Sequence, residues 1–309
     1  MKSEDRFHLI ASCATSALLV ELLATPKPGL VDRRRDLREL NAVRMQASAS
    51  SLYRWFYRGA ELGSRGLRPG VLGKLILNAV RSSLSAQSGG NAHLGAILLL
   101  MPLCMAAGAS LGSEYDLREA KLRRSVRNVI SSAGWSDTFN VFQAIRVTRP
   151  AGLGVVPYLD VTDDRTYVEV RRKRIKLLDA LSSYKGRDSI ADELIIGYPL
   201  TFDVCLTEMR RVLRANGDLN DAIVNGLLAV MAKRVDSHIV RRNGLHLGRY
   251  ASHLAMRALR EGGVLTERGR RLLQQMDNVF REKDIRPGSS ADVVDAATFV
   301  LLLVDRVKP

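Results

Sequence analysis

The sequence predicts an all-α fold, a single globular multi-helix domain wrapped around one buried apolar helix. Three observations predict it. Apolar residues recur at three- and four-residue spacing over long stretches. Strand-like alternation is scarce. One mid-chain segment, 94–113, carries no charge at all.

The first helix is expected over 4–24, where Phe7, Ile10, Leu18, Leu19, Leu22 and Leu23 recur among polar residues. A second runs over 222–235, with Ile223, Leu227, Val230 and Met231 on one face. A third runs over 291–307. The charge-free segment approaches the length of a membrane span. Pro102 and the small residues Ala106, Ala107, Gly108 and Ala109 instead suit a helix packed closely inside a protein. The best strand pattern, 155–161, is short and interrupted by Pro157. No internal repeat is visible. Gly/Pro loops punctuate the helices, at 25–29, 88–91, 150–154, 262–263 and 287–290, but none is a long linker. Residues 1–309 therefore read as one domain.

Composition narrows the function. Hydrophobic residues make up 46% and charged residues 26%, enough to bury a large core. The formal charge of +15 points to anionic partners. Cys13, Cys104 and Cys205 have no metal-ligand spacing and read as small buried hydrophobes in a reducing cytosol. The N-terminal apolar stretch follows Glu4, Asp5, Arg6 and His8 and contains Glu21, which is unlike a signal peptide. Basic runs at Arg33-Arg34-Arg35, Arg123-Arg124 and 171–174 lack interleaved aromatics, which total 6%. That argues against single-strand nucleic-acid binding. No helix-turn-helix, zinc finger, P-loop, GxGxxG or HExxH pattern occurs. The expectation is a cytoplasmic protein that binds anionic small molecules, with no membrane or nucleic-acid partner. A homo-oligomer is left open, and a basic nucleic-acid-binding protein is the non-enzymatic alternative.

The loops hold the candidate chemistry. Gly89-Gly90-Asn91 opens the apolar helix, with Asn91 as N-cap and His93 at the same junction. Pro287-Gly288-Ser289-Ser290 opens the last helix, with Ser289 and Asp292 at capping-box spacing. Such helix starts suit phosphate. Thr25-Pro26-Lys27-Pro28-Gly29, with Asp32 beyond it, fits either a rigid nucleotide-site element or a tight helix-ending turn. Asp236 reads as a carboxylate at a helix C-terminus, where the dipole disfavours it. A metal, an arginine or a ligand should then hold it, or solvent.

In order, these loops resemble the triphosphoribosyl-dephospho-CoA synthases. The chain reads TPKPGLVD at Thr25–Asp32, SGGNAHLGAI at Ser88–Ile97, VDSHIVRRNG at Val235–Gly244 and PGSSAD at Pro287–Asp292. The likeness spans about residues 10–305. It departs from the bacterial pattern GGVNTHKGAI by placing Leu94 where a lysine stands, and Asp236-Ser237-His238 where DTN stands. The block 144–154, together with Arg187-Asp188-Ser189-Ile190-Ala191, is similar to the archaeal-type branch.

The resemblance implies an all-α pentosyltransferase. ATP loses adenine and its triphosphoribosyl group passes to the 2′-hydroxyl of 3′-dephospho-CoA, or to another acceptor such as a C1-carrier precursor. It makes Asp32, Asp236 and Asp292 the candidate catalytic residues and Mg²⁺ ligands. Lys27, Arg241 and Arg242 would bind the triphosphate. Gly89, Gly90, Asn91, His93, Gly288, Ser289 and Ser290 would complete the nucleotide site.

Overall fold

The charge-free segment becomes the axis of the molecule. A computed structural model describes residues 3–88, 90–110, 117–150, 156 and 158–307. It opens with helices α1 (Ser3–Leu23), α2 (Ala42–Ser64), α3 (Val71–Ser85) and α4 (Leu94–Ser110). Helices α5 (Glu119–Ser131), α6 (Trp135–Thr148), α7 (Asp164–Lys173), α8 (Leu177–Ser182) and α9 (Ser189–Ile196) follow. A π-helical turn, Leu200–Cys205, runs into α10 (Leu206–Asn216) and α11 (Leu219–Lys233). The chain closes with α12 (Ser237–Asn243), α13 (Leu245–Arg260), α14 (Glu267–Glu282) and α15 (Gly288–Val304). No strand occurs among the described residues, so the all-α expectation holds.

Helix α4 has no polar face and is buried all round: Leu99, Leu100, Met101, Leu103 and Cys104 have no exposed surface. Helices α1, α2, α3, α5, α9 and α15 pack around it. The outer helices are amphipathic. α14, for example, buries Leu273, Met276 and Phe280 at helical spacing. Six helix starts are capped by their own flanking side chain: Asn41, Asp163, Asp188, Asp218, Asp236 and Thr266 each accept a first-turn amide. These caps explain why a chain with short connections breaks into so many separate helices.

The α2–α4 crossing is the tightest. A methyl on Gly63 would stand 2.1 Å from the Met105 carbonyl oxygen, and one on Gly108 would stand 1.9 Å from that of Ala60. Gly108 in α4 therefore serves backbone-to-backbone packing. α4 itself has 17 residues. The one described helix long and apolar enough to cross a membrane is α1, over Glu4–Leu23, and half of that stretch is buried. The three cysteines are free and buried.

The short strand-like pattern at 155–161 forms no strand in its described part. Tyr158, Leu159, Asp160 and Val161 form an irregular segment, while Val155 and Pro157 lie outside the described residues, as do 151–154. Leu159 and Val161 pack with Phe142, Tyr167, Val170 and Ala180 in a second, smaller core beneath α6 to α8. Asp160 bonds the Val156 and Thr162 amides at 3.0 and 2.8 Å, which curls the segment instead of extending it.

Gly63→Ala is expected to lower stability by about 1–3 kcal/mol through overpacking at this crossing. The denaturant midpoint measures it, and an unchanged midpoint would contradict the close approach.

Candidate active site

Helix starts converge at one end of the bundle. Asp236 stands at the centre of them. Its Oδ1 accepts the Ile239 amide at 2.9 Å and caps α12. Its Oδ2 accepts the Ser290 amide and hydroxyl, both at 2.7 Å, at the start of α15. One carboxylate thus serves two helix starts. Hydroxyls add to the seam: the Ser189 amide of α9 donates to Ser237 Oγ at 3.1 Å, and Ser237 Oγ lies 2.9 Å from Ser289 Oγ. Asp188 caps α9 through the Ile190 and Ala191 amides, each at 3.0 Å, and also pairs with Arg241. At α4, Asn91 Oδ1 accepts the Leu94 amide at 2.9 Å, and Asp292 accepts the Ala96 amide. Gly95 permits this approach, since a methyl there would sit 2.0 Å from Asp292 Oδ2.

These helix starts line a cavity of about 650 Å³, within the usual range for small-molecule sites. It has three unlike regions. Its polar pocket holds Glu21, Lys27, His93, Asp292 and Asp295. Lys27 Nζ bonds Glu21 Oε1 at 2.7 Å, and both side chains are nearly inaccessible. Burial first, then Asp236, Glu21 and Asp188, push the Asp292 carboxyl up to about 8, against the pull of the Ala96 amide. Asp295 is likewise raised, by burial and then by Glu21 and Asp292, with Lys27 opposing. Its Oδ1 is buried with no hydrogen-bond partner. Burial, then Lys27, lowers His93 to about 4, so its imidazole is neutral.

The second region is apolar, with Val141, Phe142, Ile145, Leu181 and Leu194 on one wall. The third is cationic, with Arg149, Arg187, Arg241, Arg242 and Arg286. Arg242 bonds Asp284 at 2.5 Å, and Arg286 bridges Asp284 at 2.7 Å and Glu39 at 3.3 Å. Arg149 and Arg187 are exposed and have no ion pair among the described residues. His238, also lining the cavity, is lowered by burial and by Arg241, Arg242 and Arg286, with Asp236 opposing.

Several expectations are corrected by this geometry. Asp236 does not end a helix: α11 stops at Lys233, and Asp236 begins α12, at the end a carboxylate favours. It is buried and does not line the cavity. Asp32 does not line it either. Its oxygens accept Thr25 Oγ1 at 3.0 Å and the Arg34 and Arg35 amides at 2.8 and 2.9 Å, so it folds the 25–35 loop on itself. Asp32, Asp236 and Asp292 do not form a shared metal site, and no group of three or more metal-type ligands occurs among the described residues. Lys27 faces the cavity but is already paired. Ser289 is not an N-cap, because α15 begins one residue earlier, at Gly288. The Gly288 and Ser290 amides are spent on Arg286 O and Asp236, which weakens the phosphate-cradle expectation. Gly90, Asn91, His93, Arg241, Arg242, Gly288 and Ser289 do line the cavity; Ser290 does not, and Gly89 lies outside the described residues.

Sequence reasoning missed Glu21, Asp295 and Arg286. Two of them had a signal. Glu21 is a lone acid in the apolar half of α1, and Asp295 follows Asp292 by three residues, on the same helix face.

A cavity in an all-helical protein, apolar on one wall, cationic on another and acidic within, has the chemistry of a site for a small organic molecule bearing charge. The comparisons sharpen the class. A profile of the CitG family, ATP:dephospho-CoA triphosphoribosyl transferase, matches residues 7–308. The chain belongs to this family. The 2-(5''-triphosphoribosyl)-3'-dephosphocoenzyme-A synthase of Escherichia fergusonii is 25% identical, over 94% of this chain and 89% of that one. A Lactiplantibacillus plantarum protein provisionally given the same name is 26% identical, over 96% and 98%. A solved structure from Archaeoglobus fulgidus, provisionally named triphosphoribosyl-dephospho-CoA synthase, shares the fold. It has a TM-score of 0.64 and 21% identity, and the match covers 84% of this chain and 98% of that one. Membership of a transferase family displaces the nucleic-acid-binding alternative.

Two variants separate scaffold from site. Asp236→Ala is expected to cost about 1–4 kcal/mol, because two helix starts lose a cap. Asp292→Asn should behave oppositely. An acid at about 8 when folded and about 3.9 when unfolded holds more protons in the fold, so its contribution to stability falls as pH rises between those values. Asp292→Asn should therefore flatten the loss of denaturation midpoint from about pH 5 to 8, relative to the parent. Parallel pH curves for the two proteins would refute this.

Proposed function

We propose that this chain transfers the triphosphoribosyl group of ATP to the 2′-hydroxyl of 3′-dephospho-CoA, releasing adenine. The observation that carries the reading is the three-part cavity. An arginine rim suits phosphates, an apolar wall suits a base or a pantetheine arm, and recessed carboxyl groups suit a ribosyl centre that becomes positive. As adenine departs, charge develops at C1 of the ribose. Asp292 and Asp295, whose carboxyls are held protonated by burial and crowding, would stabilise that charge once a cation or the growing positive centre draws their protons off. Among the described residues, Arg149 and Arg187 are lining cations with no carboxylate to surrender, and Arg241, Arg242 and Arg286 line the same cavity.

The same residues fit Mg²⁺. The orphaned Asp295 oxygen and the raised pKa values of Asp292 and Asp295 describe carboxyl groups crowded with too little counter-charge. Mg²⁺ is usually held by one or two carboxylates plus substrate phosphates, not by a protein cage. Asp292 and Asp295 would hold it, and the ion would neutralise triphosphate charge. ATP as donor would put the enzyme in the cytoplasm.

A second reading keeps the donor and changes the acceptor, for example to a C1-carrier precursor. Leu94 favours it: it lines the cavity where the bacterial pattern has a lysine, so the phosphates meet one cation fewer and the site departs from the bacterial one.

With ATP, Mg²⁺ and dephospho-CoA, chromatography is expected to show free adenine and a triphosphoribosylated product. Adenine without that product would move the acceptor; ADP or AMP in place of adenine would end the pentosyl-transfer reading. Asp292→Asn is expected to lower turnover about 100-fold or more while the protein stays folded.

A further inference from the structure

Behind the cavity wall lies a hydroxyl chain that the reaction as described does not use. Ser83 Oγ in α3 is 2.6 Å from Ser48 Oγ in α2, and Ser48 Oγ is 2.8 Å from His93 Nδ1, at the mouth of α4. Their exposures are 3%, 0% and 4%. Two hydroxyls inside a helix–helix contact cost stability unless both are bonded. Here the bonds lead to one imidazole that lines the cavity.

We propose that Ser48, backed by Ser83, is a positioning residue that holds His93 as the Nδ1–H tautomer and leaves Nε2 to take the proton of the acceptor hydroxyl. The inference rests on the transferase reading above. A neutral imidazole donates from one nitrogen and accepts at the other. Lys27 lines the same cavity, and its charge acts on His93. Nδ1 is the nitrogen engaged by Ser48, at 2.8 Å, which leaves Nε2 for a ligand in the cavity. Ser48 then accepts from Nδ1–H and donates to Ser83. Burial keeps the resting imidazole unprotonated, so its lone pair is available.

The step balances. The acceptor oxygen bonds to ribose C1 as the C1–N9 bond breaks, and the electron pair of that bond leaves with adenine. The hydroxyl proton moves to Nε2 and makes a transient imidazolium, which Ser48 steadies through Nδ1–H. That proton then passes to the departing adenine, directly or through water, and His93 returns to its starting form. The division of labour is the one seen wherever a buried acceptor orients a histidine base, with a hydroxyl in place of a carboxylate.

The test begins with the parent protein, ¹⁵N-labelled and without substrate. Imidazole nitrogen shifts should show His93 as the Nδ1–H form; an Nε2–H form overturns the proposal. Ser48→Ala should mix the tautomers and lower kcat about 10-fold, with KM for ATP and dephospho-CoA within about twofold. Ser48→Thr, which keeps the hydroxyl, should restore both. His93→Gln should lower kcat about 100-fold. A folded Ser48→Ala with parental kcat sinks the role alone. A parent protein that releases no adenine sinks the transferase reading and this role with it.

Discussion

One carboxylate shared by two helix starts sets the shape of the active end. Asp236 bonds the first turns of α12 and α15 at once, so neither helix can move without exposing amides of the other. The consequences reach the cavity from both sides. α12 brings His238, Arg241 and Arg242, and α15 brings Asp292 and Asp295. The serine seam through Ser237 extends the tie to α9 and so to Asp188. A helix start with a partner of fixed length and direction is a rigid mount. Side chains in the first two turns inherit that rigidity.

The same device changes the sign of the site. Helix starts are positive ends, and the glycine-rich loops here invite a phosphate. In the fold, carboxylates have taken those places: Asp188 at α9, Asp236 at α12 and α15, and Asp292 at α4. What reaches the cavity is an acidic pocket beneath an arginine rim. Burying Asp292, Asp295 and Glu21 near one another works against stability, with only Lys27 as counter-charge. A fold that sustains such a cluster next to a cavity is using it for something other than holding itself together.

The architecture was legible in the sequence because it rests on local rules. The charge-free 94–113 segment could only be a core helix once Pro102 and the small residues were weighed, and α1, α11 and α15 follow from apolar spacing. The four loops that carry the family likeness all reach the active end, since each leads into a helix start or ends α1 beside it. What sequence could not show was direction. Asp236 follows an apolar helix and precedes a short polar one, and spacing alone cannot say which of the two it belongs to. Asp32 matched the motif but not the pocket, because its oxygens face its own loop. Glu21 and Asp295 were overlooked for the opposite reason. Each sits inside a helix, where a single acid reads as part of a solvated face until the neighbouring helix is known to cover it.

The surplus of positive charge also takes on a narrower meaning. A net +15 suggests a surface that attracts any polyanion, yet at the cavity most of the cations are engaged. Arg241 is held by Asp188, Arg242 by Asp284, and Arg286 by Asp284 and Glu39. A bare phosphate chain approaching Asp292 and Asp295 would find no cation there to neutralise it, and it could win Arg241, Arg242 or Arg286 only by displacing a carboxylate. A chain that brings its own divalent cation meets the reverse on both counts. Its positive part suits the acid pocket, and its remaining negative charge suits Arg149 and Arg187 at the mouth. On the proposed function, the arrangement would discriminate by charge pattern along the ligand and not by total charge. A metal-bound triphosphate carrying a ribose has that pattern, and a nucleic-acid backbone, with even spacing and no terminal cluster, does not.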